Sequence, residues 1–521
     1  MHLPRRLLLA AAMPAAAMAQ APRMLRVALE AEITSTDPHF HNLAPNKAIS
    51  AHVFEALVLQ DARQRLLPGL ATSWRAVDDT TWEFSLRPGV TWHDGAAFTA
   101  EDVAFTITRA GNVPNSPSSF GLYIRQITST RVMDAATIRF TTAMPFPLMP
   151  IYLSTFGIVS KRHGEGASTA DYNSGRAMIG TGPYRFLSWT PGDRVVLERN
   201  AAHWAGPQPW SGVSFRFIRS SASRVAALLA GDVDLIDALP TSDIGRIERD
   251  PRFQVSRAVS NRNMFVLVDQ LERVSPFVAD RQGRPLASNP FRDLRVRRAV
   301  SLAINREAIV ARVMDGAAEA TGQVMPRDWF GWTPSLPPPP YDPEAARRLL
   351  AEAGFPQGFN LTIHCSNNRY VNDEKICQAL GQMLTRVGIQ TQVQVLPFAT
   401  WITAASRQEY SMFFGGWGID TAEPSSPLGS LLASFDRATG QGASNRSRYS
   451  NPVVDRMLAE GLTTMDDEAR RQVFIRATEI AMHDLGLVPT HHQINLWAAR
   501  RDVVHEARAD EWTLAMGARP A

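Results

Sequence analysis

"FNLTIHCSNNRYVNDEKICQALGQMLTRVGIQTQVQVLPFATWITAASRQEYSMFFGGWGID", residues 359–420, decides the fold. Residues 359–365 read as a strand and 373–388 as a helix. Residues 389–396 read as a second strand carrying Ile389, Val393 and Val395. Residues 399–407 are helical again, and 410–416 form a third apolar strand. Strand, helix, strand, helix, strand at this spacing is a right-handed parallel α/β unit. Ligands of such sheets collect outside the carboxyl ends of the strands. His364 and Cys365 end the first strand, and "GWGIDTAEP", residues 416–424, ends the third, so both are expected at one sheet edge. In the latter stretch Gly415, Gly416 and Gly418 surround Trp417, and Asp420 and Glu423 follow before Pro424. Glycines admit close backbone approach, the indole offers a flat apolar face, and a carboxylate attracts cations.

Outward from this unit, the chain is too long for one core. Its 521 residues exceed the roughly 250–300 at which single cores stop growing, so two or three lobes are expected. "MLRVALEAEI" alternates Leu25, Val27 and Leu29 on one strand face, with Glu32 just beyond. "NKAISAHVFEALV" (46–58) reads as a helix, and "TWEFSLRPGVTWHDG" as strands broken by hairpin turns. A second β-rich passage spans 180–200, and Pro/Gly-punctuated residues 270–290 read as a crossing between lobes. "DLRVRRAVSLAINREAIVARVMDG" is amphipathic and helical, with Val296, Ala299, Val300, Ala303 and Ile304 at helical spacing.

Composition is that of a globular protein: 45% apolar and 20% charged residues. Cations and anions are interspersed, so the formal charge of +4 gives no nucleic-acid signal. The N-terminus pairs Arg5 and Arg6 with the apolar run 7–16 and ends Ala17-Met18-Ala19, a secretory signal cleaved after Ala19. No other stretch is long enough to span a membrane, and no cysteine stands at the cleavage site to carry a lipid anchor. The reading is an exported, periplasmic protein, by Sec in preference to the twin-arginine route. Cys365 and Cys377 either pair in that oxidising compartment or stay as two buried thiols; sequence leaves both open.

Motifs for catalysis are missing: no GxSxG elbow, HExxH helix or GxxxxGK[ST] loop occurs. His491-His492, like His39 and His41, lacks local partners to complete a zinc site, and "HDG" at 93–95 reads as a turn.

"LLPGLATSWRAVDDTTWEFSLRPGVTWHDGAAFTAEDVAFTI" (66–107) resembles the signature of family 5 extracellular solute-binding proteins. That family holds the dipeptide, oligopeptide and nickel binders of ABC importers. Further matches follow in the family's order: "GTGPYRFLSWTPGDRVVLERNAAHW" (180–204), "LAGDVDLI" (229–236), "NPFRDLRVRRAVSLAINREAIV" (289–310), "YDPEAARRLLAEAGF" (341–355), "YSNPVVDRMLAEG" (449–461) and "VPTHH" (488–492). The resemblance implies an α/β fold of the periplasmic binding protein type II kind, large and three-lobed (the peptide-binding class), with a ligand cleft between lobes. Lobe I would comprise 20–50, 179–269 and 487–521; lobe II the insert 51–178; lobe III residues 270–486. Two connecting segments would act as a hinge.

The implied function is capture of peptides or similar amine-bearing solutes by a monomer, for delivery to an ABC permease complex of the inner membrane. No cofactor, resident metal or catalytic role is implied. A nickel- or other metal-chelate binder of the same family is the alternative, and a secreted hydrolase a remote one. Carried over residue by residue, Gly416, Trp417, Gly418 and Asp420 resemble the ligand-facing segment, with Asp420 pairing the ligand's α-ammonium. Glu32, His491 and Gln493 resemble further cleft positions. Asp420 as a turn or helix cap, and Trp417 as packing, remain open beside these roles. Glu423 reads as a helix-start carboxylate behind Pro424. Where some oligopeptide binders place an arginine before the glycines, this chain has Phe413-Phe414-Gly415, which leaves Arg369 as a candidate for a ligand anion.

Overall fold

The computed structural model describes residues 23–521, so the expected leader and its expected cleavage site lie outside the described residues. A twelve-stranded sheet forms the backbone of the molecule. Its central pair is the long strand Phe253–Val268 against Val488–Arg500, antiparallel over most of their length. One side of this pair continues through Leu235–Ile236, Met24–Leu29, Gly212–Phe217, Arg194–Arg199 and Tyr184–Thr190. The other side continues through Met412–Gly418 and Phe359–Ser366, with Ile389–Leu396 branching from the latter. A separate four-stranded antiparallel sheet, within residues 71–142, packs its own core around Phe84, Ile138, Phe140 and Trp92.

The α/β unit forms as read. Phe359–Ser366 lies parallel to both Ile389–Leu396 and Met412–Gly418, and therefore sits between them. The helix Asp373–Arg386 buries Ile376, Cys377, Leu380 and Leu384 against this layer, the spacing that puts apolar groups on one face. Strand Met24–Leu29 is buried on both faces, sending Leu25, Val27 and Leu29 to one cluster and Ala28 to another.

One expected helix is shorter than its pattern. The helix Ala44–Ser50 stops before His52. The carbonyls of His52 and Val53 accept instead from Tyr184 (3.0 Å) and Gly182 (2.9 Å). Gly180 and Gly182 press against those carbonyls so closely that neither has room for a Cβ. Tertiary hydrogen bonds thus replace the next helical turn, and Val58–Gln60 leaves as a short strand. Among the described residues no helix is long and apolar enough to cross a membrane.

The cysteine alternatives resolve to a bridge. Cys365, on the strand, and Cys377, on the following helix, are bonded with their Cα atoms 6.5 Å apart, and both are fully buried. The bond closes a small loop, for which chain-entropy arguments give about 3 kcal/mol. Replacing both cysteines by alanine should lower unfolding stability by about 2–3 kcal/mol in urea titration. A change under half that size would show that the bridge contributes little beyond packing.

Candidate functional site

The strand Met412–Gly418 carries the site because its two edges differ. On one side all seven residues pair with Arg262–Val268. On the other, Phe359–Ser366 pairs only with Met412 and Phe413, so among the described residues the edge from Gly416 onward has no strand partner. Gly416 turns its carbonyl to this open edge, where the Tyr370 hydroxyl donates to it at 3.3 Å. Gly418, two residues on, presents its backbone on the same side. Trp417 is half-buried and its indole N–H donates to Ser426 Oγ at 3.0 Å, which fixes the ring.

Beyond the strand the chain turns, with Ala422 in the left-handed region (φ 54°) and its N–H donating to Ile419 O at 3.0 Å. Asp420 sits on this turn and caps no helix. Its Oδ2 accepts from Lys47 Nζ at 3.0 Å, with the lysine side chain 7% and the aspartate 51% exposed. Lys47 comes from the helix Ala44–Ser50, some 370 positions away in sequence. Burial opposes its charge, but Asp420, with Tyr123 and Asp510 nearby, outweighs that and raises the ammonium's pKa; it also lies 5.8 Å from the Trp512 ring. Gln60 and Gln64 donate to the Asp420 carbonyl at 3.4 and 3.0 Å. The aspartate expected to be free for a ligand amine therefore already has an internal ammonium on one oxygen. Among the described residues its Oδ1 has no hydrogen-bond partner.

Two further charged groups frame this point. Arg262, opposite Gly418 in the sheet, forks onto Glu511 with bonds of 2.7 and 2.8 Å. Burial works against both charges, yet each partner outweighs it, raising the arginine and lowering the glutamate. Arg508 grips Asp510 in the same way, at 2.6–3.2 Å. Arg369, by contrast, has no carboxylate within 4.0 Å among the described residues. Its guanidinium lies 5.5 Å from the Tyr370 ring centre and 5.7 Å from that of Phe398. Surrounding protein, with Arg262 nearby, pulls its pKa down, so an anion there would relieve an uncompensated charge.

The other expected residues stand differently. Glu32 is spent on the Gly192 amide (2.8 Å) and on Arg219, not on the groups around Asp420. His491 and Gln493 are buried within the strand Val488–Arg500, 1% and 3% exposed. Burial, with His492 beside it, pushes the His491 ring down to about 3, so it is neutral, stacked on Phe414. Among the described residues no group of three or more His, Cys, Asp or Glu is placed to hold a metal.

Glu423 parts from Asp420 completely. It is 2% exposed, just before the short helix Ser425–Pro427, and faces Arg470 across 3.5 Å. Burial dominates and raises its carboxyl to about 7. The folded state therefore holds a proton that the unfolded chain, titrating in the ordinary carboxylate range, has already lost. Between about pH 4.5 and 7 Glu423 makes stability fall as pH rises. Glu423→Gln should flatten that part of the stability–pH curve measured by urea unfolding; an unchanged slope would remove the assignment.

Lys47, Arg262, Glu511, Gln60 and Tyr370 escaped sequence reading. None belongs to a short motif, and Lys47 carries only the faint signal of a cation inside an otherwise apolar helical stretch.

The chain was compared with known proteins. The family model "Bacterial extracellular solute-binding proteins, family 5 Middle" matches residues 65–439. The glutathione-binding protein GsiB of Salmonella typhi is 28% identical over 484 residues, covering 91% of this chain and 90% of that one. The periplasmic binding protein DppA of Helicobacter pylori, solved with the peptide STSA, superposes with a TM-score of 0.77 at 23% identity, over 95% of this chain and 98% of that one. NikZ of Campylobacter jejuni, solved with Ni(L-His), gives 0.78 at 21% identity, over 95% and 99%. These likenesses establish the type II periplasmic binding-protein fold.

Proposed function

The chain belongs to the bacterial extracellular solute-binding proteins of family 5, and we propose that its solute is a short peptide or a similar amine-bearing molecule. It captures that solute for an ABC permease and acts by binding, without a catalytic step. The observation that carries this is the open edge of the strand at Gly416–Gly418. An extended ligand adds there as a further strand, its backbone meeting glycine amides and carbonyls whatever its side chains are. The relatives support the class, since one is named for glutathione and another was solved with a tetrapeptide.

Charges at the two ends orient the ligand. Asp420 keeps one oxygen for an ammonium, and Arg369 takes a carboxylate or another anion. The paired strands Phe253–Val268 and Val488–Arg500 join the two halves of the large sheet, and their register breaks between Val259 and Asn263. That break is a natural bending point for closure over the solute. A metal-chelate reading lacks a comparable observation, because the chelate would have to bring all its own ligands.

Two substitutions test the assignment by calorimetry. Asp420→Asn should weaken an amine-bearing peptide by about 1.5–3 kcal/mol, the range of a hydrogen bond to a charged group. Unchanged affinity would remove Asp420 from the site. Lys47→Met should strengthen the same peptide by roughly tenfold, because one competing ammonium is gone, and leave its N-acetylated form unaffected. Equal gains for both forms would mean that Lys47 acts on closure, not on the amine.

A further inference from the structure

The stretch "SNNRYVND", residues 366–373, links the strand Phe359–Ser366 to the helix Asp373–Arg386, and no apolar periodicity runs through it. Asn367, Asn368 and Arg369 are exposed, so burial does not fix their conformation either. The bridge between Cys365 and Cys377 closes the loop at its ends and leaves the backbone angles between them to be set by other contacts.

One carboxylate sets them. Asp373 opens the helix and is only 3% exposed. Its Oδ2 accepts from Ser366 Oγ (2.8 Å), from the Arg369 amide (3.2 Å) and from the Tyr370 amide (3.3 Å). Its Oδ1 accepts from the Glu374 amide at 3.0 Å. Among the described residues no cation pairs with it, so its bonding capacity is turned onto the loop. Further contacts carry this arrangement outward. Asn368 Oδ1 accepts from the Phe398 amide at 2.9 Å, and the Asn372 side chain donates to Thr241 Oγ1 and to Val313 O, both at 2.9 Å. Arg369 is the only charged residue between Ser366 and Asn372. Its amide is pinned, while its guanidinium has no carboxylate partner among the described residues.

We propose that Asp373 is a positioning residue for solute capture: it gathers the 366–370 backbone on one oxygen and so aims Arg369 at the anionic end of the solute. This rests on Arg369 as the partner of that anion. Ordering a loop costs conformational entropy. Folding meets that cost here, so the solute does not, and a preorganised cation binds more tightly than a wandering one. Asp373 itself touches no solute, because it is buried and both its oxygens face backbone amides or Ser366.

Calorimetry with alanyl-alanine and trialanine, each as the free acid and as the C-terminal amide, separates positioning from general support of the fold. Asp373→Ala should weaken the acids roughly tenfold and leave the amides unchanged. Asp373→Asn should restore most of that loss, since one amide oxygen still accepts from the three donors. In an Arg369→Ala background, Asp373→Ala should have no further effect, because residues that act through one another are not additive. Equal weakening of acids and amides, or the same loss with and without Arg369, overturns the proposal and leaves the cleft reading standing. Should Arg369→Ala itself leave the preference for acids over amides intact, or should the wild type bind neither form, the cleft reading falls and the proposal with it. If Asp373→Ala does not fold, Ser366→Ala decides, as it removes one donor and no backbone group. A loss of roughly threefold on the acids alone supports the proposal, and no change, or an equal change in both forms, overturns it.

Discussion

Two long strands constrain everything else. Phe253–Val268 and Val488–Arg500 run antiparallel through the middle of the twelve-stranded sheet, each reaching into both halves of it. Main-chain hydrogen bonding is obligatory for buried backbone, so this pair sets where the strand Met412–Gly418 and the strand Met24–Leu29 lie relative to each other. The ladder is interrupted only where its register shifts, between Val259 and Asn263 and again between Met264 and Phe265. In the first interruption Asn261 bonds outward on both sides: its amide donates to Ala509 O, and its carbonyl accepts from Ile419 N at 3.1 Å. The bend in the sheet thereby holds the C-terminal segment and the start of the Asp420 turn together.

Around that bend, charge is arranged in pairs that join distant parts of the chain. Lys47 meets Asp420, and Arg262 meets Glu511, each across hundreds of residues. Partly desolvated pairs of this kind contribute less to net stability than to geometry, since the cost of removing charges from water offsets much of the attraction. Their effect here is to leave a site with one half-exposed carboxylate and one arginine, Arg369, lacking a carboxylate partner among the described residues.

Much of the fold was legible in the residues themselves. Residues 359–420 spell out their strands and helices by periodicity, and the structure places Phe359–Ser366 parallel to its two neighbours as expected. The site was legible only in part. Gly416, Trp417, Gly418 and Asp420 lie together because four of them are consecutive or nearly so on one strand and its turn. Glu32 and His491 stand apart from the groups around Asp420 for the same physical reason. Each found partners or burial inside the protein that no spacing rule reveals, Glu32 on Gly192 and Arg219, His491 in the wall of strands against Phe414.

The sequence by itself determined the alternation of strands and helices, the family and the glycine-rich strand end, because these depend on local periodicity and on contiguous residues. Tertiary structure alone decided that Cys365 and Cys377 are bridged, that the helix at 44 stops at Ser50, and that Asp420 faces Lys47 while Glu423 is buried against Arg470. Each of those outcomes turns on distances of a few ångströms between groups far apart in the chain. Folding sets such distances through the whole sheet, and no local pattern encodes them.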